Sequence, residues 1–215
     1  MTLSLSNLSL VGVVLATDNE LPPIRAAGYE YVIAGNGLFI RAEDSRMEAM
    51  VPVAPATLRG LATVEPYARL KTPRIPQSHL WAVYQSAIAH LPNEAMYQHR
   101  WDGYAWRIAR PAQASSATSV AFADGGETVV DLHSHAGMNC FFSAVDDADE
   151  LGFRFYVVIG RLTPFYEPIT SWPGIVCRVG VYGHHWPVPA DVIFEGCGPF
   201  IEIQDKEGID AEPAY

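Results

Sequence analysis

The sequence predicts an α+β protein: a mixed β-sheet core with flanking helices, preceded by a β-rich accessory region. Three observations carry this. After about residue 72 the periodicities run helix, hairpin, strand, helix, strand, an order that places helices beside a sheet. The first 72 residues instead show short runs rich in Val, Ile and aromatic residues, broken by Pro and Gly. Apolar residues make up 49% of the 215, against 18% charged, enough to bury a sizeable core. The expected division is an accessory region over 1–72 and a main domain over 73–215.

In chain order, LSLVGVVLA reads as a strand, and EYVIAGNGLFIRA as two strands around Gly35-Asn36-Gly37. VPVAPATLRGLATVEP has proline spaced through it and is poor helix material. Past the linker TPRIPQS, Leu80, Val83, Tyr84, Ala87, Ile88 and Leu91 share one face of a helix over about Ser78–Leu91, with Ser78 as N-cap and Pro92 as the stop. EAMYQHRW and YAWRIARP flank Asp102-Gly103, a hairpin signal. ASSATSV is small and polar and reads as a loop, and Asp124-Gly125-Gly126 as a turn. ETVVDLHSH is a strand, SAVDDADELG a short helix with acids in its first turn, and RFYVVIGRL a buried strand. GIVCRVGVYGHHWPV and ADVIFEG read as further strands of the same sheet, and the acidic tail after Gln204 as mobile.

Composition narrows the function classes. A net charge of -10 and a pI near 5.0 disfavour nucleic acid and anionic membranes as partners. Cys140, Cys177 and Cys197 are odd in number, widely spaced and form no CxxC pair, which points away from a disulfide framework and toward a reducing cytoplasm. The apolar run Leu8–Ala16 has no Lys or Arg before it and is too short to span a bilayer, so it reads as a strand rather than a leader.

The chemistry is concentrated in Asp131-Leu132-His133-Ser134-His135, followed by Ser143 and Asp146. Histidines at i and i+2 of a strand project from one face with Cβ atoms about 7 Å apart, so both imidazoles can reach one ion. Asp146, in the first turn of the acidic helix, can return over them. Two imidazoles and a carboxylate suit Zn²⁺ and leave its fourth position open, the pattern of a catalytic site. Glu94, just past the first helix, is the best candidate for a general base, with Glu127 its rival. The Ser143 hydroxyl is a candidate donor to an oxyanion and also a candidate N-cap.

This pattern resembles the JAMM (MPN-plus) signature, Glu followed by H-x-H-x7-S-x2-D: His133, His135, seven residues, Ser143, two residues, Asp146. Leu-Pro-Asn-Glu94 resembles that family's Pro-x-Glu element after its first helix. The likeness covers about residues 77–165. It implies a cytidine-deaminase-like α/β core, one zinc, and hydrolysis of an amide or isopeptide bond, often at the C-terminus of a ubiquitin-like protein. HSHAGMNCFFSAVDDADELGFRFYVVIGRL is further similar to the A proteins of the bacterial PRTRC cassette, a resemblance that implies a ThiF-like E1-type protein and a small β-grasp protein as partners. Ala136 departs from the family, which has Pro there. The zinc deaminases are disfavoured because P-C-x-x-C is absent. A non-catalytic MPN-type scaffold is the alternative, although such scaffolds usually lack the ligands present here.

Other residues have plainer readings. His184 and His185 are adjacent on a strand, point to opposite faces and cannot easily share an ion. His79, His90 and His99 are expected to be exposed or capping. Cys140 reads as a small buried hydrophobe, Met138–Phe142 as either a substrate-facing or a core-packed segment, and Tyr97, Trp101, Tyr104 and Trp106 as hairpin packing or the lining of a peptide groove.

Overall fold

The β-branched runs do become strands. A computed structural model describes residues 9–122, 126–162 and 174–197. β1 (Val11–Leu15), β2 (Tyr29–Ala34), β3 (Gly37–Glu43), β4 (Met47–Pro55) and β5 (Tyr67–Leu70) form a five-stranded sheet in that order. β1 and β2 run parallel and the rest antiparallel. The two-residue turn Gly35-Asn36 joins β2 to β3, with the Asn36 amide bonded to both backbone groups of Val64. A buried Glu30–Arg41 ion pair, 2.6 Å long, pins the preceding loop: Glu30 also accepts from the Arg25 and Ala26 N–H groups.

α1 (Gln77–Ile88) buries Leu80, Val83, Tyr84 and Ala87, as the periodicity requires. It begins a residue before Ser78. Pro76 occupies the N-cap, with no side-chain cap, because its fixed φ of -56° already suits the entry to a helix. Beyond it lie β6 (Met96–Trp101), β7 (Trp106–Ala109), β8 (Gln113–Ser115), β9 (Val120–Phe122), β10 (Val130–Ser134), α2 (Ala144–Asp149), β11 (Phe153–Ile159), β12 (Ile175–Val181) and β13 (His184–Pro187). The second sheet is mixed, in the order β13-β12-β11-β10-β6-β7, with β10 and β11 its parallel pair. This is the α+β layout the sequence predicts. The Asp102 carboxylate closes the β6–β7 turn by accepting from the Tyr104 and Ala105 N–H groups, and Gly103 there adopts φ 98°.

Two stretches differ from expectation. The small polar segment near Ser115–Ser119 is the tip of a β8–β9 ribbon, closed by the Ser116 N–H to Ser119 carbonyl bond and by contact of their hydroxyls. ADVIFEG is not a strand: Ala190–Val192 is a 3-10 turn, and only Phe194 pairs, with Ile75. The residues after Gln204, and Asp124-Gly125, lie outside the described residues. None of the described helices is long and apolar enough to cross a membrane.

The second sheet has two unlike faces, because side chains alternate along each strand. Val130, Leu132, Phe155, Val157, Cys177 and Val179 point to the core they share with α1 and with Ile40, Met47, Ala49 and Val51 of the first sheet. Asp131, His133, Gln98, Arg154, Tyr156 and Arg178 occupy the alternate positions. Trp101 and Trp106 meet edge to face across the hairpin at 5.5 Å and Tyr97 is buried in the core, which is the hairpin packing expected, while Tyr104 at the tip is 93% exposed.

His99 corrects an expectation. It is fully buried in β6, 5.9 Å ring to ring from His79, and neither ring nitrogen has a hydrogen-bond partner among the described residues. Burial, reinforced by His79, depresses its pKa to about 3. The unfolded chain takes up this proton near 6.5 and the folded chain does not until about 3. The stability His99 contributes is therefore complete above pH 6.5 and declines as pH falls below it. At pH 4.5, about two units below the unfolded pKa, the loss is on the order of 2–3 kcal/mol. Between pH 7 and 4.5 the urea midpoint of wild type is expected to fall relative to that of His99→Leu, which cannot titrate there; parallel pH dependences would disprove the assignment.

Candidate metal centre

His133 sits one residue before the end of β10, and His135 one residue past it, where its N–H continues the ladder to the Ile159 carbonyl at 2.8 Å. Both are buried, at 6% and 5% exposure. Their Nε2 atoms face each other at 3.1 Å. His135 Nδ1 lies 3.2 Å from the Asn139 carbonyl; with Nδ1–H donating there, Nε2 presents its lone pair inward. Burial lowers the pKa of both rings and holds them neutral, the form that ligates metal.

Asp146 arrives from α2. Ser143 is the N-cap, and Asp146 at N3 completes a capping box. The Asp146 N–H donates to the Ser143 hydroxyl, and Asp146 Oδ2 accepts from the Ser143 N–H at 2.6 Å and from its hydroxyl at 2.7 Å. Oδ1 is left facing His133 Nε2 at 3.5 Å. The three ligand atoms lie within 4.8 Å of one another. A tetrahedral ion with bonds of about 2.0–2.1 Å holds neighbouring donors roughly 3.3 Å apart. The 3.1 and 3.5 Å spacings bracket that value, so these residues fit a zinc-sized ion.

Glu94 precedes β6 and is 4% exposed. Its N–H donates to the Ser116 carbonyl, and the next peptide is fixed to β10 through the Ala95 N–H to Ser134 Oγ bond at 3.0 Å. Burial first, and the Asp146 carboxylate second, push its carboxyl up to about 7. Glu127, the rival base, is exposed and outside the groove. Ser143 has its one hydroxyl proton on Asp146, so in this arrangement it orders the Asp146 carboxylate rather than pointing a donor into the groove.

A groove of about 880 Å³ joins these groups. Its lining includes β9 and the apolar side chains of Met138, Phe141, Val145 and Leu151. The Met138–Phe142 segment divides its roles. Cys140 is buried, and its backbone passes so close to Gly160 that a Cβ there would fall 2.6 Å from the Cys140 nitrogen. Phe141 meets His135 edge-on at 4.6 Å, while Met138 is exposed in the groove. Ala136 has φ 45°, which a proline ring cannot reach, so this loop leaves His135 by a turn that excludes the family's usual residue. His184 and His185 stay apart from the centre; His185 Nε2 contacts the Glu150 carbonyl at 2.8 Å.

Sequence reasoning missed Arg178 on β12. Its guanidinium reaches Glu150 Oε2 at 2.6 Å, pairs with Asp147, and lies 3.9 Å above the Phe142 ring. The available signal was a single cation inside the apolar run GIVCRVGV, since a charge in a buried strand requires a partner.

The family described as prokaryotic homologs of the JAB domain matches residues 76–173, a span containing Glu94, His133, His135, Ser143 and Asp146. Comparison with curated proteins finds none that matches. The donor triangle and the matched span agree: the chain contains a JAB-type domain, akin to JAMM/MPN domains, with a His-His-Asp cluster able to chelate a metal ion.

Proposed function

We propose that the protein is a zinc-dependent peptidase or isopeptidase that hydrolyses an amide bond, at the C-terminal tail of a ubiquitin-like protein. The observation that carries this reading is the convergence of His133 Nε2, His135 Nε2 and Asp146 Oδ1 in the same groove as a buried Glu94. Zinc held by the three side chains supplies Lewis acidity and lowers the pKa of a water toward ~7. Glu94, kept near neutrality by its burial, receives the proton of the attacking water on a carboxylate oxygen and passes it to the departing amine nitrogen. Ser143 and the His135–Asn139 contact hold the ligands in register while this proton moves. Ser143 becomes an oxyanion donor only if its hydroxyl turns away from Asp146.

The substrate tail lies extended in the groove, adding to the exposed side of β9, where backbone pairing gives affinity without demanding a particular sequence. The likeness to PRTRC-cassette A proteins supports a ThiF-like E1-type protein and a β-grasp protein as partners in a bacterial cytoplasm.

Three outcomes test this reading. Metal analysis of the purified chain is expected to find about one zinc per molecule, with His133→Ala and Asp146→Ala losing it. Glu94→Gln is expected to keep the zinc and lose turnover by about 10²- to 10⁴-fold; a variant as active as wild type excludes Glu94 as the base. Fusions of ubiquitin-like proteins carrying a C-terminal extension are expected to be cleaved by the zinc-loaded chain and spared after chelation. Failure across such a panel with zinc bound returns the protein to the class of non-catalytic partner-binding scaffolds.

A further inference from the structure

α2 carries the metal carboxylate, yet none of its six residues is buried. Helices in folded proteins are ordinarily seated by an apolar face, because propensity alone does not hold so short a segment. Here the seat is polar. Arg178, 7% exposed on β12, touches the segment at three points. Its Nε and Nη2 reach Glu150 Oε2, at the C-cap, at 2.7 and 2.6 Å. Its Nη1 pairs with Asp147, the residue after the ligand. Its planar face covers the Phe142 ring, the residue before the N-cap, at 3.9 Å.

We propose that Arg178 is a positioning residue for the metal centre: one guanidinium fixes both ends of the segment 142–150 and so holds Asp146 Oδ1 opposite the two imidazoles. This rests on the metal-centre reading above. The argument is geometric. Rotating or lifting α2 by even an ångström moves Oδ1 out of the triangle, whereas His133 is fixed independently by the pairing of β10, and His135 by its N–H bond to the Ile159 carbonyl and its ring contact with the Asn139 carbonyl. A lysine cannot reproduce the arrangement, since one ammonium cannot pair with two carboxylates while stacking flat on a ring.

The test uses the full chain with zinc alone as ligand, its affinity measured by competition with a chromophoric chelator well below the unfolding temperature. Cobalt(II) absorption spectra report the ligand geometry. Arg178→Met, which keeps the stem and removes the fork, is expected to weaken zinc binding by about 10- to 100-fold and to shift the cobalt spectrum. Arg178→Lys is expected to recover only part of the loss. Asp147→Asn combined with Glu150→Gln loosens the clamp from the helix side, leaves β12 intact and is expected to reproduce the effect; it decides the matter should Arg178→Met not fold. Zinc affinity within twofold of wild type and an unchanged cobalt spectrum in these variants would overturn the proposal, even with a lowered melting temperature, because a purely structural role predicts that result. His133→Ala is the control: if it too retains zinc, the metal-centre reading is what has failed.

Discussion

Two uncharged imidazoles set nitrogen to nitrogen at 3.1 Å, with a carboxylate oxygen 3.5 Å from one of them, are the constraint on which the remaining structure depends. Such an arrangement concentrates lone pairs. A single proton can relieve one contact, but burial resists that charge on both rings. A divalent ion satisfies all three donors at once at ordinary bond lengths. The features around the site serve to keep this triangle assembled: the Asn139 carbonyl under His135, the capping box that leaves one oxygen of Asp146 free, and the guanidinium beneath α2.

That precision originates in the second sheet. β10 contributes Leu132 to the core and His133 to the centre from adjacent positions, so the register that buries the apolar face also aims the ligand. A slip of one residue would exchange the two faces and lose core and site together. The five-stranded sheet belongs to the same arrangement. Its Ile40, Met47, Ala49 and Val51 share the buried cluster with Val179 and Val181 of β12, the strand that carries Arg178 on its other face. Arg46 adds a hydrogen bond to the Glu127 carbonyl, in the connection leading to β10. The N-terminal strands therefore brace the sheet from behind while leaving the groove side open.

What the sequence made legible was local. His133 and His135 share a face because strand periodicity is two. Ser143 and Asp146 are an N-cap and its N3 partner because short helices begin that way, and the face of α1 follows from its 3.6-residue repeat. The order of the main-domain elements, and hence the α+β class, needs no more than this. What escaped was set by distant chain segments. His99 reads from the sequence as an exposed or capping residue, but β10 on one side and β7 on the other make its strand central enough to bury it. Residues 190–194 carry strand-like side chains yet meet Ile75 at one position only. The β8–β9 ribbon has a small polar turn between strands of only three residues, and it is held by their pairing, a serine turn and hydrogen bonds from the Glu94 and Met96 N–H groups. Arg178 stands 32 positions beyond Asp146, and no spacing rule links them.

The dual use of Asp146 then explains why the motif is so tightly spaced. Its Oδ2 is consumed in starting α2 and its Oδ1 is left facing the imidazoles, so one side chain joins helix initiation to a donor set able to chelate an ion. A glutamate in the same place could close the capping box, but its extra methylene would carry the second oxygen past the imidazoles. An asparagine could still accept through its carbonyl, but it would give up the negative charge that balances a divalent cation. Ser143 is bound by the same logic, since only a hydroxyl at the N-cap both accepts the Asp146 N–H and donates to its carboxylate. Spacing of three between Ser and Asp is the geometry of the first helical turn, and spacing of two between the histidines is the geometry of a strand. The signature is thus two secondary-structure periods written side by side, and the loop between them has to be only long enough to bring one over the other.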